Sequence, residues 1–200
     1  MVNNAWMSTR AERLRAIVTA SPWMTRVLAT VAGSGVPEAW VGAGALRDLV
    51  WGELYGPRFD PSTVRDVDVV YFDPIHTERA DDDRATALLA DLWHRPPWEA
   101  RNQAAVHLWY HHKFGGPPRP PFRSVAEAVA TWPEYATAVA VRATREGTID
   151  ICAPHGLDDL LDGIWRRNPA RVDVAHSRTR LARHSPETRW RGVTVIPPVG

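Results

Sequence analysis

Apolar residues recur at helical spacing in some stretches of the chain and at alternate positions in others, and the order of these stretches outlines a fold. Leu14, Ile17 and Val18 follow Thr9-Arg10-Ala11-Glu12, a capping box, and predict a first helix. Ser21-Pro22 supplies an N-cap and a first-turn proline for a second helix, with Met24, Val27, Leu28 and Val31 on one face. Gly33-Ser34-Gly35 ends it. Trp40-Val41 then reads as a short strand running into Gly42-Ala43-Gly44. Leu46, Leu49, Val50 and Leu54 mark the core face of the helix that follows. Gly56 to Ser62 is a loop, and Val67, Val69 and Tyr71 alternate against Asp66, Asp68 and Val70 as in a strand, which Asp73-Pro74 breaks. Asp81-Asp82-Asp83 precedes an Ala/Leu-rich segment, 84–93, where acidic residues suit the positive end of a helix.

The second half is less regular. Trp98 to Gln103 predicts a short strand and Ala104 to His112 a helix, with His111-His112 beside Lys113 at its exposed end. Gly115 to Pro121 is an extended, rigid connection. Ser124-Val125-Ala126-Glu127 repeats the capping-box pattern. Thr137 to Ala143 and Thr148 to Ala153 flank Arg145-Glu146-Gly147, which predicts a β-hairpin, and a helix carrying Leu157, Leu160, Leu161 and Ile164 follows Pro154 to Gly156. These elements predict an α+β domain: a mixed, partly antiparallel sheet, helices mainly on one face and a cleft on the other. We expect one domain over residues 1–200, with a core at about 36–165 and an Arg-rich C-terminal extension at 166–200. Residues 104–200 are expected to form the far wall of the cleft.

Composition narrows the picture. At 200 residues, with 44% hydrophobic and 24% charged, the chain suits one globular domain. A net charge of +1 argues against a surface built to grip long nucleic acid. No apolar run approaches a membrane span, and MVNNAWMSTR lacks the pattern of a secretory signal, so we expect a cytoplasmic protein with no membrane partner. The single Cys152 is expected as a small apolar residue in a strand, and Cys and His lack zinc spacing.

The chemistry is concentrated between Trp40 and Asp73. Residues two apart on a strand share a face, so Asp66 and Asp68 project together, about 6–7 Å apart along the strand. Two carboxylates that close raise each other's pKa unless a cation lies between them, and Mg²⁺ bound by carboxylates and phosphate oxygens is the natural solution. The glycine turn Gly42-Ala43-Gly44 at a helix start offers free N–H groups to phosphate. A third carboxylate would complete a two-metal arrangement; Asp150, in Thr148-Ile149-Asp150-Ile151, is one candidate and Glu99 the rival.

GAGALRDLVWGELYG followed by VRDVDVVYFD resembles the catalytic head of the polymerase-β-like nucleotidyltransferase superfamily, above all that of CCA-adding enzymes, with their Gly-Gly-x-Val-Arg-Asp and Asp-x-Asp pattern. The chain is also similar to a family of small bacterial predicted nucleotidyltransferases, through WVGAGALRD, DVDVVYFD, WEARNQAAVH, WPEYATAVAVR and ICAPHGLDDLL, over roughly Trp40 to Pro169. The resemblance implies a polymerase-β-like fold and transfer of an NMP from an NTP to an acceptor hydroxyl, with Mg²⁺ or Mn²⁺. It implies Gly42, Ala43 and Gly44 as phosphate loop, Asp66 and Asp68 as metal ligands, and Asp150 as the third carboxylate. Arg47 falls on the family's arginine, suited to a phosphate contact or to an ion pair with Asp48. Asn102, Gln103 and His107 fall on a polar signature. The acceptor, whether small molecule, RNA or protein, is open. Ala43 stands where the family pattern has glycine, which motivates the alternative of a catalytically inactive nucleotide- or metal-binding module of the same fold.

Overall fold

The protein is described by a computed structural model covering residues 5–115 and 117–199, the side chains of residues 5–8, 113 and 114 excepted. The first four residues, Gly116 of the proline-rich connection and the Lys113 side chain therefore lie outside it. Helix α1 (Ala5–Ala20) begins four residues before the predicted capping box, so Thr9 lies inside the helix instead of capping it. Leu14 and Val18 are buried as expected. In α2 (Pro22–Gly33) the Ser21 hydroxyl accepts the Met24 N–H, Pro22 occupies the first turn, and Met24, Val27, Leu28 and Val31 are buried. Strand β1 (Trp40–Gly42) leads directly into α3 (Ala43–Tyr55). Strand β2 (Val67–Tyr71) starts one residue after Asp66, and α4 (Arg79–Leu92) carries Asp81 and Asp82 in its first turn. Asp82 is buried there, accepting hydrogen bonds from the Tyr71 hydroxyl at 2.9 Å and the Asn102 N–H at 2.7 Å.

Strand β3 (Trp98–Asn102) and α5 (Val106–Phe114) follow, then a one-turn helix α6 (Val125–Val129), started by Ser124. The hairpin is β4 (Ala140–Ala143) and β5 (Ile149–Cys152), turning at Gly147 with φ +77°. The helix predicted from Leu157 to Ile164 is shorter. Helix α7 (Asp158–Leu161) stops before Gly163, whose φ is +68°, and Ile164 begins β6 (Ile164–Trp165). The Arg-rich tail, where the sequence pattern is weak, forms α8 (Val174–His184), α9 (Pro186–Arg189) and β7 (Thr194–Val195), which pairs with β6.

The five-stranded sheet has the order β3-β2-β1-β4-β5, parallel only between β2 and β3, where α4 makes the crossover. Alternation sorts its residues. Val41, Val67, Val69, Ala100 and Val141 face a core built with α1 to α4, which includes Leu14, Met24, Leu49, Trp51 and Leu89. The opposite face carries Gly42, Asp68, Glu99, Ala140 and Cys152. Val125, Val129, Trp132 and Ala138 cover its middle against Val70 and Ala140. Cys152 packs at the edge of that cluster, and burial raises its thiol pKa. At Asp68 and Arg101 this face opens to a cleft.

The β1–α3 turn is set by packing. Gly42 is extended, with φ −158°, and a β-carbon there would meet the Val139 carbonyl at 2.6 Å and the Trp132 ring at 2.8 Å. Ala43 adopts φ +54°, the left-handed region that disfavours a side chain. We expect Gly42→Ala to cost about 2 kcal/mol or more through the clash. Ala43→Gly is expected to stabilise the fold by about 0.5–1 kcal/mol, relief of the left-handed strain exceeding the added freedom of the unfolded chain. Urea unfolding midpoints of the two variants against wild type check both.

Candidate active site

Sheet register builds the acidic end of the site. Asp68 on β2 lies beside Gly42 on one side and Glu99 on the other, and Asp66, the residue just before β2, is near enough for its charge to act on Asp68. Burial, then Asp66 and Glu99, push the partly buried Asp68 carboxyl up to about 7, against the pull of Arg180 and of the Gly44 N–H, which donates to it. Burial, then Glu99, raises Asp66, which Arg183 and Arg65 oppose. At Asp66 and Asp68, burial and the other acidic groups together thus outweigh the arginines that oppose them. Glu99 is also paired with Arg101 at 2.8 Å. Among the described residues, no group of three or more His, Cys, Asp or Glu side chains is gathered tightly enough to hold a metal ion as it stands.

Asp150 does not join them. It faces the same side of the sheet but sits on β5, three strands from β2, roughly 14 Å away at about 4.8 Å per strand. Its carboxylate is held by Arg142 at 3.0 Å. The carboxylate that the sheet brings to Asp66 and Asp68 is Glu99, because the crossover through α4 returns the chain beside β2, whereas the hairpin is added beyond β1.

Arg47 does not reach the turn's outer side as a phosphate ligand. It is 2% exposed and donates to Asp48 at 3.0 and 2.5 Å. Its guanidinium lies 5.7, 5.3 and 5.5 Å from the rings of Trp51, Trp165 and Trp190. Arg189 binds the other oxygen of Asp48 at 2.9 Å. Arg47 and Asp48 therefore anchor the C-terminal segment on α3. Next to this knot, burial and the charges of Arg47, Arg180 and Arg183 depress His184 to about 3, and its neutral ring lies 5.4 Å from that of Trp165.

Asn102 is also structural. It accepts the N–H groups of Asp73 and Ala104 and donates to the Asp73 and His76 carbonyls, fixing the loop after β2. Gln103 is buried and lines the cleft, its amide donating to the Arg101 carbonyl at 3.1 Å. The Nδ1 atom of His107, on α5, is buried without a hydrogen-bond partner among the described residues.

The cleft holds about 570 Å³ and runs from Asp68 past Arg101 and Gln103 to Tyr110, Arg171 and Arg180. Its cationic wall comes from α8 and the segment before it, elements that sequence periodicity left blank. Arg180 makes a two-pronged ion pair with the fully buried Glu134, at 2.7 and 3.0 Å. Burial works against the charge of Arg180, and Glu134 and Asp68 outweigh it, so its pKa is raised. The legible signal for α8 was Asp173, an N-cap whose side chain accepts the His176 N–H at 2.7 Å.

An acidic pair at the start of one strand, a helix N-terminus beside it and a mixed sheet with one open face define a nucleotidyltransferase of the polymerase-β-like fold. A sequence profile described as Nucleotidyltransferase matches residues 29–195, and the chain belongs to that family. A solved structure described as "The NMR structure of the protein reveals a CCA-adding enzyme head domain" is similar with a TM-score of 0.75 and 25% identity, over 92% of this chain and 95% of that one. No curated protein matches the chain. Among the described residues, no helix is long and apolar enough to cross a membrane.

The raised Asp68 carboxyl has a consequence for stability. The folded chain binds this proton up to about pH 7, the unfolded chain only up to about pH 4, so stability falls as pH rises through that window. Asp68→Asn removes the penalty while its side-chain oxygen still accepts from Gly44. Without divalent cation, we expect the variant to melt several °C above wild type at pH 8 and the difference to vanish near pH 4, by thermal unfolding across pH.

Proposed function

We propose that the protein transfers an NMP from an NTP to an acceptor hydroxyl, with Asp66 and Asp68 holding Mg²⁺ or Mn²⁺ and Glu99 as the third carboxylate. The observation that carries this reading is the repulsion that Asp66 and Glu99 exert on Asp68, which lines an arginine-rich cleft. Asp66 and Asp68, whose carboxyls are pushed up by burial and by neighbouring negative charge, and Glu99 beside them offer hard oxygen donors that suit a small divalent cation. When bound, such a cation neutralises triphosphate charge and makes the acceptor hydroxyl more acidic.

The residues divide the remaining work. The N-terminus of α3 at Ala43-Gly44 attracts the phosphates. Arg180 and Arg183, whose charges reach Asp68 and Asp66, offset the negative charge that builds up as the reaction proceeds. Glu99 takes the proton of the acceptor hydroxyl. The acceptor oxygen forms a bond to the α-phosphorus, the bond from that phosphorus to the bridging oxygen breaks, and pyrophosphate leaves with the electron pair.

A second reading, binding of nucleotide without turnover, draws on two observations. The Gly44 N–H is already taken by Asp68, and Ala43 puts a methyl on the turn.

The test incubates purified protein with α-labelled ATP, CTP, GTP and UTP, Mg²⁺ and a protein-free cell extract, following label transfer and pyrophosphate. Asp66→Asn and Asp68→Asn are each expected to lose at least about a thousandfold, Glu99→Gln about a hundredfold, and Asp150→Asn less than about threefold. Calorimetric binding of Mg·NTP with no pyrophosphate released over long incubation would establish the second reading instead. Protons compete for Asp68, so the affinity for Mg²⁺ is expected to weaken toward tenfold per pH unit below about 7, measured by the same calorimetry.

A further inference from the structure

The cleft contains more positive charge than its carboxylates use, and the surplus is at one end. Arg101 is paired with Glu99, and Arg180 with Glu134. Arg119, Arg167 and Arg171 also line the cleft, and none forms an ion pair with a carboxylate among the described residues. They are held in place by neutral oxygens. Arg119 donates to the Ala170 carbonyl at 2.6 Å, and Arg167 to the Val172 and Val199 carbonyls at 2.8 and 3.3 Å. Arg171 donates to the Thr131 hydroxyl at 3.1 Å and lies 3.6 Å from the centre of the Tyr110 ring. A guanidinium has five N–H groups in a planar fork, so each is oriented with donors to spare.

We propose that Arg119, Arg167 and Arg171 form an anion subsite that grips a phosphate group on a small acceptor molecule, whose hydroxyl then reaches the carboxylate end. The proposal rests on the transfer reaction above and names the chemistry of its acceptor. Burial, reinforced by the nearby charge of Arg119, lowers the pKa of Arg171; an anion between the two relieves both penalties. Asp173, the carboxylate lining this end, is committed to the start of α8 and neutralises none of the three. Gly42, Ala43 and Gly44 are not among the residues that line the cleft, and the experiment separates triphosphate held at that turn from a phosphate held by these arginines. Three guanidiniums suit a dianionic phosphate better than a single carboxylate. The space of about 570 Å³ suits a small molecule, and a net charge of +1 does not suit a long polyanion.

The experiment is calorimetry on the full chain with ribose 5-phosphate, ribose and inorganic phosphate, with and without saturating Mg²⁺ and α,β-methylene-ATP. Ribose 5-phosphate and inorganic phosphate are expected to bind, ribose not, and binding is expected to survive saturation with the ATP analogue. Arg119→Glu, at an exposed position, should weaken phosphate binding at least about tenfold, and Arg167→Ala about fivefold, while both leave analogue affinity within about twofold. Displacement of phosphate by the analogue would assign the arginines to the triphosphate and overturn the proposal. So would unchanged phosphate binding in both variants, no phosphate binding at 10 mM, or a ten-nucleotide RNA binding far more tightly than ribose 5-phosphate. Because binding is read without turnover, loss of the subsite and loss of the transfer reaction give separate results; Asp68→Asn should still bind phosphate.

Discussion

Strand register places Gly42 on β1, Asp68 on β2 and Glu99 on β3 side by side on one face of the sheet, and the candidate site is built around that juxtaposition. Backbone hydrogen bonding holds the strands about 4.8 Å apart, so Asp68 and Glu99 start from neighbouring positions, and the charge of Asp66 also reaches Asp68. Folding therefore forces together like charges that would drift apart in the unfolded chain. Burial first, and then this crowding, raises the Asp68 carboxyl to about 7. The stability given up there is supplied by the apolar packing of α1 to α4 on the sheet's other face.

The arginines divide into those that build and those that face the cleft. Arg47 is enclosed by three indoles and Asp48, and Arg189 closes the same carboxylate from the C-terminal segment. That junction holds the tail against α3 and so positions α8, from which Arg180 and Arg183 reach the acidic end. Arg180 in turn depends on Glu134, a buried acid with no exposure, whose partner cannot be removed without leaving a charge uncompensated. Arg119, Arg167 and Arg171, bound to neutral oxygens, keep their charge available.

Much of the first hundred residues was legible because local rules agreed there. Ser21-Pro22 started a helix where an N-cap and a first-turn proline predict one, and the alternation from Asp66 to Tyr71 gave a strand with its carboxylates on the open face. Thr9 misled, since a capping pattern inside a longer helix looks the same in sequence as one at its start. The tail was opaque for a physical reason. Helix α8 is amphipathic but rich in Arg and His, with Val174 and Leu181 its large apolar residues and Ser177 its buried one, so apolar positions alone are too few to mark it as a helix.

The paired carboxylates of β2, the turn at a helix start and the α+β order of elements follow from the sequence by itself, since periodicity of two and 3.6 residues and chain-local capping suffice to produce them. Which third carboxylate joins the pair, and whether Arg47 meets phosphate or tryptophan, was decided only by the tertiary structure. Asp150 and Glu99 are equally good strand residues. Only the pairing of β3 in parallel beside β2, with the hairpin placed beyond β1, puts one next to Asp68 and the other three strands away, because strand order is a long-range choice that no local spacing encodes.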